Sequence, residues 1–169
     1  MSQTASSGRR YFRLKQAGST LKLQSPVNRR AFESYMALDR VSGLPHRDAL
    51  TADWMTPFKD HVILIDVLSE PEPDFRFRSV GGYFSSFWTG DPTGARLSGI
   101  SGQGPGSTIW EALSAVVEAR QPATSMIPYV GPKKGVYNVE DCLMPFADSE
   151  GRVDTVVVTC EYLSRFLRA

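Results

Sequence analysis

Short apolar runs separated by prolines and glycines predict that the chain is organised around a β-hairpin at residues 62–82. The first run, residues 62–65, is β-branched and too short for a helix. The second run, residues 75–78, alternates phenylalanine with arginine, which is typical of a strand with one face in solvent. Two prolines between the runs would interrupt regular hydrogen bonding. We therefore predict two antiparallel strands, with the rest of the chain packed around them.

A leading helix is predicted over residues 26–42. Ser25 followed by Pro26 is typical of an N-cap and a first helical position, and Gly43 would end the helix. Large side chains share one stripe of this helix, which predicts one buried face and one solvent-exposed face. The helix would either cover the sheet or meet its copy in a dimer, and the sequence favours neither. The candidate dimer contacts on the stripe are Phe32, Tyr35, Met36 and Asp39.

A second helix is predicted over residues 108–121, because Thr108 and Glu111 fit a capping box and Pro122 would end the helix. Three strands are predicted after it. The first of them contains Pro128, which lacks an N–H and therefore favours a position at a sheet edge or a bulge. The three strands are residues 124–130, 136–146 and 153–162.

The two ends of the chain carry weaker patterns. Residues 12–15 and 20–23 both alternate apolar and polar side chains around Ala17-Gly18-Ser19, which predicts a second hairpin. An isolated hairpin is only marginally stable in water, so this one would need the body or a partner to pack on. Residues 163–168 are consistent with a last helical turn.

Charge is distributed unevenly along the chain. The net charge is +1, but residues 1–32 hold seven of the 19 basic residues and no acidic residue, which leaves 12 basic and 18 acidic residues for the remainder. A basic segment on an acidic body could contact anionic lipid, nucleic acid or the body itself, or could be a solvated tail. Nucleic-acid binding is not expected, since only Tyr11 and Phe12 could stack on bases there.

Composition is that of an ordinary globular chain, with 41% apolar and 22% charged residues among 169. No apolar run is long enough to cross a membrane, and the first residues lack the apolar stretch of a secretory signal. The two cysteines, Cys142 and Cys160, lack metal-ligand spacing and favour a reducing compartment. We therefore expect a cytoplasmic location and no membrane span.

Catalytic and metal chemistry find little support in the sequence. His46 lies near Asp48 and Asp53, but nothing with metal-ligand spacing accompanies them, so we interpret this stretch as a surface turn. The glycine-rich residues 99–106 precede a helix, yet no Gly-Lys-Ser/Thr follows, which argues against a phosphate-binding loop. The carboxylates expected to lean inward, Asp39, Asp66 and Glu140, have no identifiable partner. We predict no catalytic residue, no metal site and no enzymatic activity.

Four short motifs and the order of the elements together suggest a family. The order is a helix, two strands, short helices and loops, a longer helix and three antiparallel strands. In this respect the chain resembles the bacterial PAS domain family, in particular single-domain members with a leading N-terminal helix. The resemblance covers about residues 28–163, and the motifs that carry it are residues 61–67, 75–81, 91–94 and 151–154.

The resemblance implies an α+β fold, a PAS-like five-stranded antiparallel sheet with flanking helices and an N-terminal helix. It implies one edge strand at residues 75–80 and the other at 124–130. It also implies dimerisation through the leading helix. The chain would then comprise a basic N-terminal extension (1–25), the PAS-like domain with its leading helix (26–163) and a C-terminal tail (164–169).

PAS domains sense small molecules, light or redox state, or hold partners together, and the residues narrow these options. Haem-binding members usually supply a histidine from the long helix or its neighbour, but residues 106–122 contain none. Flavin-binding members use a cysteine in the short-helix region, but residues 83–106 contain none. We therefore predict no cofactor and a cavity between sheet and helices that suits a small apolar or aromatic molecule. Its candidate walls are Phe77, Phe84, Phe87, Trp88, Trp110, Leu113, Tyr137 and Val139.

The predicted function is that of a cytoplasmic PAS-type sensory or regulatory module in signal transduction. It would act as a homodimer, bind a small molecule or a protein, and pass the change to a signalling partner. The alternative is a ligand-free protein-interaction adaptor, in which the same walls form a closed core.

Overall fold

The computed structural model describes residues 11–129 and 133–164. Their architecture is α+β, with helices on both faces of one open antiparallel sheet. The helices are α1 (Pro26–Met36), α2 (Ala52–Met55) and α3 (Thr108–Ala119), with 3₁₀ turns at Arg47–Ala49, Thr56–His61, Gly82–Ser86 and Leu97–Gly99. The strands are β1 (Phe12–Leu14), β2 (Val62–Leu68), β3 (Asp74–Val80), β4 (Ala123–Pro128), β5 (Val136–Ala147) and β6 (Val153–Ser164).

The sheet has the order β1-β4-β5-β6-β2-β3, and every neighbouring pair is antiparallel. The predicted hairpin is confirmed, since β2 and β3 pair with each other, with a bulge between Leu64 and Ile65. The outer side of β3 is covered in part, because the amide of Phe77 donates to the Ala95 carbonyl and Phe77 accepts from Gly94. This pairing holds the loop that precedes α3 against the sheet.

The alternation of side chains along the strands builds two apolar layers, one on each face of the sheet. On the first face, Cys142, Met144 and Phe146 of β5 pack with α1 and with the turn Thr56–His61. We call this the α1 face. On the other face, Leu143 packs with α3 and with the turns Gly82–Ser86 and Leu97–Gly99, and we call this the α3 face.

The leading helix begins where the sequence predicts, with the Ser25 hydroxyl accepting a hydrogen bond from the Asn28 amide. It ends at Met36 rather than residue 42, and a left-handed Ser42 follows beyond. Of the two arrangements left open by the sequence, the structure has this helix covering the sheet. Two candidate dimer contacts, Phe32 and Tyr35, are buried against the α1 face and are therefore not available to a partner. Met36 is 39% exposed and Asp39, beyond the helix, is also exposed.

The predicted N-terminal hairpin is wrong. Residues 12–14 do form a strand, but it pairs with β4 instead of residues 20–23, which are not in a strand. Phe12 and Leu14 pack against the apolar layer of the α3 face, which a free hairpin could not offer them. Within the described residues the sheet therefore has six strands, not five, and the strand at 124–130 is not the outermost. Described pairing on that side reaches Met126, so Pro128 lies beyond it.

The ends of two other elements differ from prediction. The N-cap of α3 is Ser107, whose hydroxyl accepts from the Trp110 amide, and not Thr108. The predicted last helical turn is wrong as far as it is described, because Leu163 and Ser164 belong to β6. Residues 165–168 lie outside the described residues, as do residues 130–132. None of the helices in the described part of the chain is long and apolar enough to cross a membrane.

Candidate functional site

Four half-buried aromatic residues meet on the α3 face, and we call them the aromatic cluster: Tyr83, Phe87, Tyr129 and Tyr162. The rings of Phe87 and Tyr162 are stacked, with centroids 3.6 Å apart and planes 5° apart. Tyr129 meets Tyr162 edge-on at 5.4 Å, and Tyr83 lies 5.3 Å from Phe87. Edge-on contacts are a geometry that aromatic pairs prefer, whereas the Phe87 and Tyr162 rings, at this distance and angle, lie nearly face to face. The four rings together form a continuous aromatic surface.

Local folding of residues 81–88 brings two of these rings to the site. The amide of Phe87 donates to the Phe84 carbonyl, which closes the short turn and sends Phe84 into the core. Gly81 makes the entry to the turn possible, because a Cβ atom there would lie 2.3 Å from the Asp60 carbonyl oxygen. Only glycine can occupy that position without movement of the backbone. The turn therefore starts tight against the loop before β2.

A buried polar group lies next to the cluster on the same face. Asp141 of β5 pairs in register with Cys160 of β6, and its carboxylate accepts a hydrogen bond of 3.0 Å from the Ser125 hydroxyl. Burial raises the pKa of Asp141, and hydrogen bonds from the Cys160 thiol and from Ser125 oppose that shift only in part. Burial also raises the pKa of Cys142 and of Cys160, so neither cysteine is poised as a thiolate.

Hydrogen bonds tie the cluster to its surroundings. The Tyr162 amide donates to the Tyr83 hydroxyl at 3.3 Å, and the Trp88 indole donates to the Tyr162 hydroxyl. Burial, and next to it the proximity of Cys160, raises the pKa of Tyr162. His61 stacks on Tyr83 with centroids 4.0 Å apart, and its Nδ1 lies 3.1 Å from the Cys160 carbonyl oxygen. Tyr83 and Tyr162 therefore stay protonated, and each offers both an aromatic ring and a hydroxyl group for hydrogen bonding.

A cation lies over the cluster. The Nζ atom of Lys133 is 4.3 Å from the centroid of the Phe87 ring, which is cation–π distance. The backbone amide of Lys133 donates to the Tyr129 hydroxyl at 3.2 Å. The open face of the Phe87–Tyr162 stack is thus covered by a positive charge from the chain itself.

A pocket of about 340 Å³ opens beside the cluster, and we call it the Trp88 pocket. Phe84 and Trp88 give it aromatic walls, and Asp91 adds a carboxylate that is held by the Thr93 amide and hydroxyl. Trp88 meets Phe77 edge-on at 5.5 Å, so one ring separates the pocket from the core. The lining residues are Val80, Gly81, Gly82, Phe84, Ser85, Trp88, Gly90, Asp91 and Pro92.

The predicted cavity walls divide into three groups. Phe84 and Trp88 line the Trp88 pocket, and Phe87 belongs to the aromatic cluster. Phe77 and Leu113 are fully buried in the α3-face core, with Val139 half-buried against it. Trp110 packs edge-on against Phe75 at 5.1 Å, away from the cluster, and Tyr137 is 39% exposed. The structure thus brings three of the eight together at the site.

Sequence reasoning missed Tyr83, Tyr129, Tyr162, Asp141 and Cys160 as site residues. One signal was present, since Asp141 has the strand parity of Val139, an expected cavity wall. The proximity of Tyr129 to Tyr162 could not be predicted from the sequence, because it depends on the pairing of β4 and β6 with β5.

Two of the three carboxylates expected to lean inward, Asp66 and Glu140, have partners away from the aromatic cluster. Asp66 binds Arg76 at 2.7 Å and Arg78 at 2.5 Å on the α1 face, while Asp39 is exposed. A second, open concavity of about 620 Å³ borders residues 98–107, and its lining holds no charged side chain. Within residues 11–129 and 133–164, no group of three or more His, Cys, Asp or Glu side chains converges as a metal site would require.

Comparison with known proteins gives no relative for this chain. Neither the protein families, nor the curated proteins, nor the solved structures contain a match.

Proposed function

We propose that the chain is a PAS-type regulatory module that binds a small apolar or aromatic molecule on its α3 face and passes the change to a signalling partner. The single observation that carries the proposal is the Trp88 pocket, whose wall residue Phe84 also contacts the aromatic cluster, with its ring centroid 5.7 Å from Tyr83 and 6.3 Å from Tyr162. A concave site with mostly apolar walls and a few convergent polar groups is the usual form of a small-molecule site. In the Trp88 pocket the polar side chains are Ser85 and Asp91, beside the rings of Phe84 and Trp88.

The sheet supports the PAS part of the proposal. The five strands that follow α1 have the order β4-β5-β6-β2-β3, with the two strands at its ends being those expected from the resemblance. The turns Gly82–Ser86 and Leu97–Gly99 lie with α3 on one face, and the leading helix lies with the turn Thr56–His61 on the other. The pairing of β1 outside β4 is an addition to this arrangement.

A second candidate function, a ligand-free interaction adaptor, has its own support. Phe77, Phe84 and Leu113 are at most 3% exposed, and Trp88 already packs on Phe77. A core that is filled by its own side chains needs no ligand for stability. In that case the α3 face would be scaffold, and recognition would use another surface.

Native mass spectrometry of the full chain as purified tests the first proposal against the second. We expect extra mass that is lost on denaturation, and we expect Trp88→Ala to reduce the fraction of protein that carries it. Trp54→Ala is the matched control, because Trp54 is also half-buried but packs on the α1 face, against Phe58 and Phe146. Circular dichroism establishes that both variants fold.

The outcomes separate the two functions. A wild-type protein that carries no extra mass, before and after incubation with cell extract, overturns the ligand proposal and favours the adaptor. Bound mass that both variants retain equally puts the ligand outside the Trp88 pocket. The same spectra report the proposed homodimer. A contact through the leading helix would have to use exposed residues at its end, such as Met36, or after it, such as Val41. A monomer at all concentrations overturns the homodimer.

A further inference from the structure

The outer face of the Phe87–Tyr162 stack is a cation site in this structure. Phe87 lies between two groups, with Tyr162 stacked on it at 3.6 Å and the Lys133 ammonium 4.3 Å from its ring centroid. Tyr83 and Tyr129 flank the same ring, at 5.3 and 6.4 Å between centroids. Three aromatic residues therefore surround the ring on which a positive charge rests.

The physics of this arrangement favours organic cations. The face of an aromatic ring carries a negative quadrupole potential, which attracts a cation that lies over it, as the Lys133 ammonium lies over Phe87. Asp141 is buried on the same face of the sheet, where it pairs in register with Cys160, two residues before Tyr162. Lys133 is exposed, so its ammonium is strongly hydrated and holds the ring weakly. An alkylated ammonium would replace that contact and add apolar contact between its methyl groups and the rings.

We propose that the aromatic cluster binds an organic ammonium group on the outer face of Phe87, between Tyr83 and Tyr129, and that Lys133 occupies this position when no ligand is present. The inference rests on the proposed function, because it names the chemical class of the molecule that the region binds. The ligand is then an apolar or aromatic molecule that carries a quaternary or alkylated ammonium. Lys133 competes with it, which raises the ligand concentration needed for half-saturation.

Choline is the probe for this site, and 3,3-dimethylbutan-1-ol is its neutral control, because the two molecules share shape and hydroxyl but differ in charge. Binding is measured by NMR shifts of aromatic protons in the full chain, at constant ionic strength. We expect choline to shift the signals of Phe87 and Tyr162, and the neutral alcohol to shift them much less.

Two variants locate the effect. Lys133→Ala removes the competing ammonium, so choline should bind about two- to five-fold more tightly than to the wild type, the range expected for one exposed cation–π contact. Lys134→Ala is the matched control, since it removes an exposed neighbouring charge that makes no ring contact in the described structure. Phe87→Leu keeps apolar volume without the ring and should abolish the choline shifts.

Each contrary result overturns the inference. Equal shifts with choline and the neutral alcohol would mean an apolar site without cation selectivity. Unchanged choline affinity in Lys133→Ala would mean that Lys133 does not occupy the site, and binding that survives Phe87→Leu would mean a different location. If choline binds neither the wild type nor Lys133→Ala, the proposal that the ligand carries an ammonium group is wrong. The proposed function itself would then still be decided by the native mass spectra, which do not depend on charge.

Discussion

The two faces of the sheet treat their buried carboxylates in opposite ways. On the α1 face, Glu140 is completely buried and accepts hydrogen bonds from the amides of Gln24 and Ser25, at 2.6 and 2.8 Å, and from the Asn28 side chain at 3.1 Å. On the α3 face, the next residue of β5 is Asp141, which has side-chain donors but no backbone amide among its described hydrogen bonds. One carboxylate anchors a segment, and the other lies beside an aromatic surface and a pocket.

The difference shows that one strand, β5, can place a structural carboxylate on one face of the sheet and a carboxylate near a candidate site on the other. Neighbouring residues of a strand point to opposite faces, so Glu140 and Asp141 are separated by the sheet although they are consecutive. The α1 face uses the Glu140 carboxylate to hold the amides of Gln24 and Ser25, directly before α1, and this fixes the start of the helix. The α3 face leaves its charge less neutralised, as expected where a site is to receive a ligand. Hydrogen bonding on the α1 face is not complete, however, because Asn28 Oδ1 and Thr159 Oγ1 are buried without a described hydrogen-bond partner.

The largest effect should come from Glu140→Ala. This change removes the acceptor for two backbone amides and one side chain in a buried place, so we expect the free energy of unfolding to fall by about 2–3 kcal/mol. Urea denaturation measures the loss, and hydrogen exchange should accelerate first at Gln24 and Ser25. Asp39→Ala, at an exposed position, should change the stability by less than about 0.5 kcal/mol. Equal effects of the two variants would contradict the anchoring role.

The N-caps of the two long helices give the next contrast. Ser25 caps α1 while buried, and its hydroxyl also donates to the Glu161 carboxylate, whereas Ser107 caps α3 at a less buried position. We expect Ser25→Ala to cost about 1–2 kcal/mol and Ser107→Ala about 0.5–1 kcal/mol, by the same denaturation assay. A larger loss of stability in Ser107→Ala than in Ser25→Ala would contradict the expectation that the buried cap of α1 contributes more than the cap of α3.

The smallest effects concern pH, and they should have opposite signs for two aspartates. The pKa of Asp141 is raised in the folded state, so its ionisation opposes folding. Its contribution to stability is full below its ordinary pKa of 3.8 and is lost as pH rises through the folded-state pKa. Asp141→Asn should therefore match the wild type in acid and become more stable than the wild type as pH rises above about 4.

Asp74 is the matched control for that pH profile. Burial raises its pKa, but hydrogen bonds from Ser98 and from the Phe75 amide, with Arg96 nearby, outweigh burial and lower it overall. Its stabilising contribution is present above its ordinary pKa of 3.8 and is lost as pH falls through the folded-state pKa. Asp74→Asn should therefore be less stable than the wild type near neutrality and approach it in acid. If both variants changed the stability near neutral pH in the same direction, the predicted electrostatic difference between Asp141 and Asp74 would be wrong.

The sequence predicts those parts of the fold that are fixed by nearby residues. The β2–β3 hairpin, the start of α1 at Ser25 and the body of α3 follow from local runs, caps and prolines. The capping residue of α3 was misassigned by one position, because Ser107 and Thr108 both have a side chain that can cap. Pairing over long distances was not predictable in the same way. The alternation of residues 12–14 indicates a strand, but nothing in it indicates that its partner lies more than 100 residues away in β4.

The candidate site was predictable only in part for the same reason. Phe84, Phe87 and Trp88 are close in sequence and were expected together, whereas Tyr129 and Tyr162 join them through strand register. Helical periodicity identified Phe32 and Tyr35 as one stripe, but an apolar stripe fits a sheet and a second protomer equally well. Periodicity gives the face of an element, and the tertiary structure decides what covers that face.

Gly81 has a consequence for how this site can vary among related sequences. Its amide donates to the Val62 carbonyl at 2.8 Å, and the backbone of Asp60 occupies the space in which a Cβ atom would lie. Even alanine would push the following turn away from the sheet and draw Tyr83 off His61. We therefore expect that position 81 tolerates no substitution, whereas the rings it positions can be exchanged for other rings. The residue with no side chain would then be the most constrained part of the aromatic surface, and ligand preference could diverge around it without loss of the frame.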